Sequence, residues 1–180
     1  MTQDSASPRR TELREAAYRY VLEHGLADLS LRPLAAAIGS SPRVLLFLFG
    51  SKDGLIRDLL ARARADELAL LDRLGEPAGL AAAAARLWDW AAAPEHRPLL
   101  RLWVEAYGRS LVEPDGAWAG FAKATVDDWL AVLAACEPGA DPARRTLVLA
   151  VLRGAILDLL ATDDAERTGA ALRLHLALLD

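Results

Sequence analysis

The stretch from Ser30 to Leu55, SLRPLAAAIGSSPRVLLFLFGSKDGL, constrains the fold more than any other part of the chain. It packs three helix starts into 26 residues. Ser30 precedes an apolar run that stops at Gly39. Ser41-Pro42 opens a second helix, with a cap oxygen for an early N–H and a proline where a missing N–H costs nothing. Ser51 opens a third, and Asp53 puts a negative charge in its first turn, where the helix dipole favours it. Two short helices joined by a tight turn make a helix-turn-helix, a device that lays its second helix in the major groove of DNA.

The rest of the chain also reads as helix. Leu13, Ala16, Ala17, Tyr20 and Val21 form an amphipathic stripe over Pro8–His24, with Gly25 just past its end. The stop at Gly39 predicts a helix over Leu31–Ile38 with Leu34, Ala35 and Ile38 inward. The next spans Pro42–Phe49 with Leu45 and Phe49 inward. A fourth runs from Ser51 to about Leu74, long enough to join two parts of the molecule rigidly. Gly75-Glu-Pro-Ala-Gly79 is the clearest break. Helices are then predicted over Leu80–Ala93, Arg97–Leu111, Ala117–Cys136 and Pro142–Ala161, and one more, capped by Thr162-Asp163-Asp164, ends near Leu179. The Ala81–Ala85 run is explained by helix propensity alone. The expected fold is all-α: an N-terminal three-helix bundle with the helix-turn-helix in residues 1–50, then a helical domain over residues 51–180. The polar tail 1–8 is expected to be disordered.

Composition narrows the function classes. A chain of 180 residues can bury a proper core. It has no alternating apolar pattern long enough for a strand and no run of 18 apolar residues, so no membrane span is predicted. The polar N-terminus predicts no signal peptide, and the single cysteine, Cys136, cannot form an internal disulfide; both point to the cytoplasm. The net charge of −4 is unevenly spread. Residues 1–60 hold eight basic and seven acidic side chains, for +1, and the remainder carries −5. A basic footprint is therefore slight.

Ser30, Arg32, Leu34, Ala35, Gly39, Ser41, Leu45, Phe49, Ser51, Lys52 and Leu55 fall in the spacing of the TetR-like repressors, and Thr11–Leu29 resembles their first helix with its Glu-His-Gly ending. The first 60 residues or so carry the resemblance; beyond them it is architectural, and nine helices is the usual count. The resemblance implies a homodimer that binds a palindromic double-stranded DNA operator and releases it when a small molecule binds the C-terminal domain, and the tryptophans of that domain point to a small hydrophobic effector. The helix-turn-helix reading and the resemblance together make Ser30, Arg32, Ser41, Pro42, Arg43, Val44, Leu46, Phe47 and Lys52 the candidate DNA contacts, with Arg43, Val44, Leu46 and Phe47 on the exposed face of the second helix.

Individual roles differ. Arg43 suits a guanine edge, or a phosphate or solvent. Val44 suits a thymine methyl. Ser41 can cap its helix or meet a phosphate. Lys52 matches a phosphate-contacting position of the family. The chain departs from its relatives at Leu46-Phe47-Leu48, where they usually place tyrosine or histidine. Each phosphate hydrogen bond lost there costs about 1.5–3 kcal/mol. Either the helix reads DNA through apolar and arginine contacts, or DNA binding is weakened. In the second case the chain is a helical small-molecule-binding or interaction protein of the same fold.

All five tryptophans lie beyond residue 87. Trp88, Trp103 and Trp129 on three helices could line an apolar cavity, with His96, Arg101, Glu105 and Tyr107 orienting a ligand; the plain alternative is core packing. A stripe of Leu147, Ala150, Val151, Gly154, Ala155 and Leu159 has small residues at its centre, and Leu172, Leu176 and Leu179 form another. The family builds its dimer from two such helices per subunit, so Leu147, Val151, Gly154, Ala155, Leu172 and Leu176 are interface candidates, with intrachain packing as the alternative. Catalysis has little support. His24, His96 and His175 are scattered, and no metal-ligand spacing, phosphate loop or nucleophile elbow is present, so no enzyme, metal or cofactor is expected.

Overall fold

Proline, serine and glycine set the helix ends. The computed structural model describes residues 8–26, 28–73 and 79–178. Those residues form nine α-helices and one 3-10 turn, with no strand among them. The fold is all-α. The expected tail at 1–7, the break at 74–78 and Leu179 lie outside the described residues.

The described chain forms two compact units, one from residues up to 65 together with 105–122, the other from 66–104 together with 123–178. In the first unit, α1 (Pro8–His24) buries Leu13, Ala17, Tyr18 and Val21 and stops at Gly25, whose φ of +80° only glycine adopts freely. Helix α2 (Leu31–Ala37) buries Leu34 and Ala35. Gly39 ends it at φ +63°: the Gly39 N–H donates to the Ala36 carbonyl at 3.4 Å and the Ser40 N–H to the Ala35 carbonyl at 2.8 Å. This pair of bonds is the Schellman closure, which needs a left-handed residue at that position. Helix α3 (Pro42–Phe49) follows after a bend of 102°, within the range of a helix-turn-helix. It buries Leu45 and Phe49. Helix α4 (Lys52–Arg73) begins at Ser51, whose Oγ accepts from the Gly54 N–H at 2.9 Å.

The second unit is built on α5 (Leu80–Ala92), which packs against both α8 (Pro142–Thr162) and α9 (Ala165–Leu176). Its core joins Leu80, Leu87 and Trp88 of α5 to Trp129 and Leu133 of α7 (Phe121–Cys136), to Val148, Leu152 and Leu159 of α8, and to Leu172 and Leu176 of α9. Gly79, at φ +98°, has no side chain to cap α5; the Glu137 carboxylate takes that role, accepting from the Leu80 N–H at 2.9 Å. Asp141 caps α8 by accepting from the Ala143 N–H at 2.7 Å, and Asp164 caps α9 by accepting from the Arg167 N–H at 2.9 Å. The turn between α8 and α9 is further tied by Arg167 to Asp158, at 2.6 and 2.8 Å. That hydrogen bonding holds the Asp158 carboxyl below its ordinary range.

Two boundaries differ from expectation. Pro94–His96 forms a 3-10 turn before α6 (Arg97–Val112). Helix α7 starts at Phe121, not Ala117. Residues 117–120 instead form turns closed by Ala119 N–H to Gly116 O at 3.2 Å and Phe121 N–H to Trp118 O at 3.1 Å. Gly120, at φ +74°, cannot belong to a right-handed helix.

Candidate nucleic-acid interface and effector region

Helix α3 buries one face and presents the other. Arg43, Val44, Leu46 and Phe47 are all exposed, Phe47 to 86%. Leu45 and Phe49, one turn apart, anchor the opposite face. The Arg10 guanidinium lies 5.5 Å from the centre of the Phe49 ring and also binds Asp58 at 2.9 Å. Ser41 caps the helix, its Oγ accepting from the Val44 N–H at 3.3 Å. The cap uses a lone pair, so the hydroxyl proton remains able to donate to an anion. Ser30 makes no side-chain cap bond to α2 and stands exposed.

Ser30, Arg32, Pro42 and Lys52 line one open concavity of about 640 Å³, together with Asp28, Leu29 and Leu31. Four of the nine expected DNA-contact residues thus meet at one place. Among the described residues, Arg32, Arg43 and Lys52 have no ion-pair or hydrogen-bond partner. Other charges of this unit pair with one another: Arg9 with Glu12, Arg10 with Asp58, and Arg14 and Arg62 with Glu15. Around the helix-turn-helix, Arg32, Arg43 and Lys52 are thus left without ion-pair partners among the described residues, with Asp28 and Asp53 as the neighbouring acids. Asp28 is the one acid lining the concavity, and it repels an anion at that edge.

The expected effector residues are dispersed. Trp88 and Trp129 sit in the core of the second unit, 5% and 7% exposed. The Trp129 indole N–H donates to the Glu67 carboxylate, and Glu67 is itself only 6% exposed. Sequence reasoning missed Glu67. It stands among Asp66, Leu68 and Ala69 on a charged helix, and its partner lies 62 residues away. Gly169 on α9 lets the Trp88 indole approach: a Cβ there would meet its Nε1 at 3.0 Å. His96 joins a different aromatic, stacking on Trp90 at 4.1 Å and bonding its carbonyl through Nδ1 at 2.8 Å. Arg101 is exposed and Trp103 half-buried. Glu105 and Tyr107 belong to the first unit. There Glu105 accepts from the Leu26 N–H at 2.9 and 3.2 Å, a bond that holds the segment after α1.

The interface candidates also separate. Leu172 and Leu176 are 2% and 7% exposed in the core of their own unit, so they offer no surface to a second chain. Val151 and Ala155 are half-buried against the same core. Leu147 is 50% exposed, and Gly154 faces open space, with nothing within 4 Å of where a Cβ would stand. With Ala150, Leu157 and Ala161 they form one exposed apolar stripe on α8, and Leu174 and Leu178 are exposed in and just after α9.

No group of three or more His, Cys, Asp or Glu side chains able to hold a metal occurs among the described residues. Burial pushes the Cys136 thiol up, away from the thiolate a nucleophile needs. No single described helix is long and apolar enough to cross a membrane.

No protein-family model matches the sequence, and no curated protein does. Solved structures match in fold. A transcriptional regulator from Rhodococcus sp. Rha1 aligns with a TM-score of 0.79 at 20% identity, covering 94% of this chain and 94% of the regulator. A TetR-family transcriptional regulator from Rhodococcus sp. aligns with a TM-score of 0.73 at 18% identity, covering 96% and 98%. The multidrug binding protein EbrR, solved in complex with proflavin, is 29% identical, with a TM-score of 0.64 and coverage of 93% and 99%. The chain has the fold of the TetR-family transcriptional regulators.

Proposed function

We propose that the chain is a ligand-responsive transcriptional regulator, a repressor by sign, that binds a palindromic operator as a homodimer. The observation that carries this reading is the helix-turn-helix with Arg32, Arg43 and Lys52 unpaired around its open side. Arg43 reads a base edge from the exposed face of α3. Ser30, Arg32, the Ser41 hydroxyl and Lys52 hold phosphates, which fix register without carrying sequence. A mobility shift with DNA flanking the protein's own gene tests it. Arg43→Ala should cost about 1–3 kcal/mol and relax sequence preference. Lys52→Ala should weaken all sequences alike and lower the salt slope by about one. Equal behaviour of the two variants would sink the division of roles.

The dimer uses the exposed stripe of α8 with Leu174 and Leu178. Gly154→Arg tests this cleanly, because the site has room in the single chain and the variant should fold. It should sediment as a monomer, and an unchanged dimer would move the interface elsewhere.

The effector is a small, mostly hydrophobic molecule held in the second unit among tryptophans. EbrR, a neighbour of this fold, has been solved with proflavin and with malachite green. Glu67 and its indole partner Trp129 add a buried carboxylate able to answer a positive charge on such a ligand. Helix α4 carries both Lys52 and Glu67, so a ligand that favours one setting of Glu67 over another also biases the placement of Lys52.

A second reading keeps the fold without operator affinity. The absence of any hydrogen-bond donor on Leu46, Phe47 and Leu48 favours it. Failure of every genomic fragment to shift at low salt would select it.

A further inference from the structure

Helix α3, PRVLLFLF, has one polar side chain, Arg43. Its hydrogen-bonding capacity toward base edges is therefore a single guanidinium. The rest of its exposed face is Val44, Leu46 and Phe47, at 37%, 42% and 86% exposure. Positions 43 and 47, and 43 and 46, are one turn apart, so Leu46 and Phe47 flank Arg43 on the same face. Such a surface is unusual on a small unit whose other large apolar side chains are mostly buried. The charges around it say what covers it. Arg43 stands within the apolar face, while Arg32 and Lys52 line the adjoining concavity, and none has a partner among the described residues. An apolar face with one unpaired cation on it, and two more lining a concavity that meets the helix at Pro42, complements a groove bordered by phosphates.

Base edges in the major groove present donors, acceptors and one apolar group, the C5-methyl of thymine. A phenyl ring driven against a donor or acceptor strips its water and offers nothing in return. Against a methyl it loses nothing.

We propose that this chain selects its operator chiefly by thymine methyl groups, which Phe47 contacts with Val44 and Leu46 beside it, leaving Arg43 as the only hydrogen-bonding reader on the helix. The half-site consequently carries A·T pairs where Phe47 docks, and at most one guanine read by Arg43. This inference rests on the operator-binding reading above.

The test replaces thymine by deoxyuridine, which deletes the methyl and leaves every hydrogen-bonding group in place. A site is first selected from random duplex DNA. Affinities are then measured for the thymine and deoxyuridine forms with the wild type and with Phe47→Ala. Wild-type affinity should fall about fourfold per contacted methyl, the value for one buried methyl-sized group, and so about 15-fold when both half-sites lose one. Phe47→Ala should bind the thymine form more weakly and respond little to deoxyuridine. Comparing penalties between the two proteins removes any effect of uracil on the duplex itself. Val44→Ala provides a second, milder truncation on the same face. A selected site bound equally well with and without methyls overturns the inference and leaves operator binding standing. A deoxyuridine penalty identical in wild type, Phe47→Ala and Val44→Ala overturns it too. If no sequence is enriched, the operator reading falls and this inference with it. A change in sedimentation of Phe47→Ala would give the apolar face to a second copy of the chain instead.

Discussion

Gly54→Ala should disrupt the helix-turn-helix more than alanine at any other glycine among the described residues. A Cβ at Gly54 would stand 2.1 Å from the Phe49 carbonyl oxygen and 3.3 Å from its carbon. The obstacle is backbone, so no rotamer change relieves it. Gly54 is not at positive φ; the position needs glycine for room and not for conformation. The end of α3 and the first turn of α4 must separate, yet Phe49 is buried and the Gly54 N–H is tied to Ser51. Overpacking in a core costs about 1–3 kcal/mol when side chains can yield. Here they cannot, and we expect about 3 kcal/mol or more, near 6–12 °C in melting temperature for a chain of this size. Operator binding should fall with it, because α3 loses its seat. Gly108→Ala is the control. It lies inside α6 with nothing within 4 Å of its Cβ and should be neutral or stabilising by up to about 1 kcal/mol. Equal melting temperatures for the two variants would refute the steric argument.

Trp129 supports a second large effect, separable into packing and polarity. Trp129→Ala removes a nearly buried indole, at a cost of about 3–5 kcal/mol. It also deprives the buried Glu67 carboxylate of a donor. Trp129→Phe keeps a six-membered ring but loses the pyrrole half with its N–H, so it combines a smaller cavity with the loss of one donor to Glu67, and its cost should fall below that of alanine, at about 1–3 kcal/mol. Glu67→Gln keeps an acceptor oxygen for the indole and should cost least. Urea denaturation gives the order directly. A Trp129→Phe variant as stable as the wild type would mean that the indole–carboxylate bond contributes nothing.

Helix ends were legible where a residue's own backbone preference decides them. Pro42 with Ser41 starts α3, and Gly25 and Gly39 stop α1 and α2, because each acts within its own turn. The start of α7 was not, since Ala117, Trp118 and Ala119 suit a helix and only the sign of φ at Gly120 excludes one. The exposed face of α3 followed from its period, with Leu45 and Phe49 inward. On α9 the period was ambiguous. Leu172 and Leu176 occupy one face, Leu174 and Leu178 continue the other, and only packing against α5 and α8 decides which becomes core. Glu67 was illegible for the same reason: its burial depends on partners distant in sequence, whereas its neighbours on α4 suggest a solvated face.

The division between the two units falls inside helices. It passes between Ala65 and Asp66 in α4 and between Val104 and Glu105 in α6. Neither unit is therefore a continuous piece of chain. The one holding the helix-turn-helix borrows residues 105–122, including the buried Ala106, Trp118 and Phe121, from beyond the whole of α5. The unit holding the helix-turn-helix cannot be excised as one segment, because a truncation after α4 leaves it without the buried Ala106, Trp118 and Phe121. Recombination that replaces either unit must exchange two segments at once, so this architecture should diversify by substitution in place more readily than by shuffling.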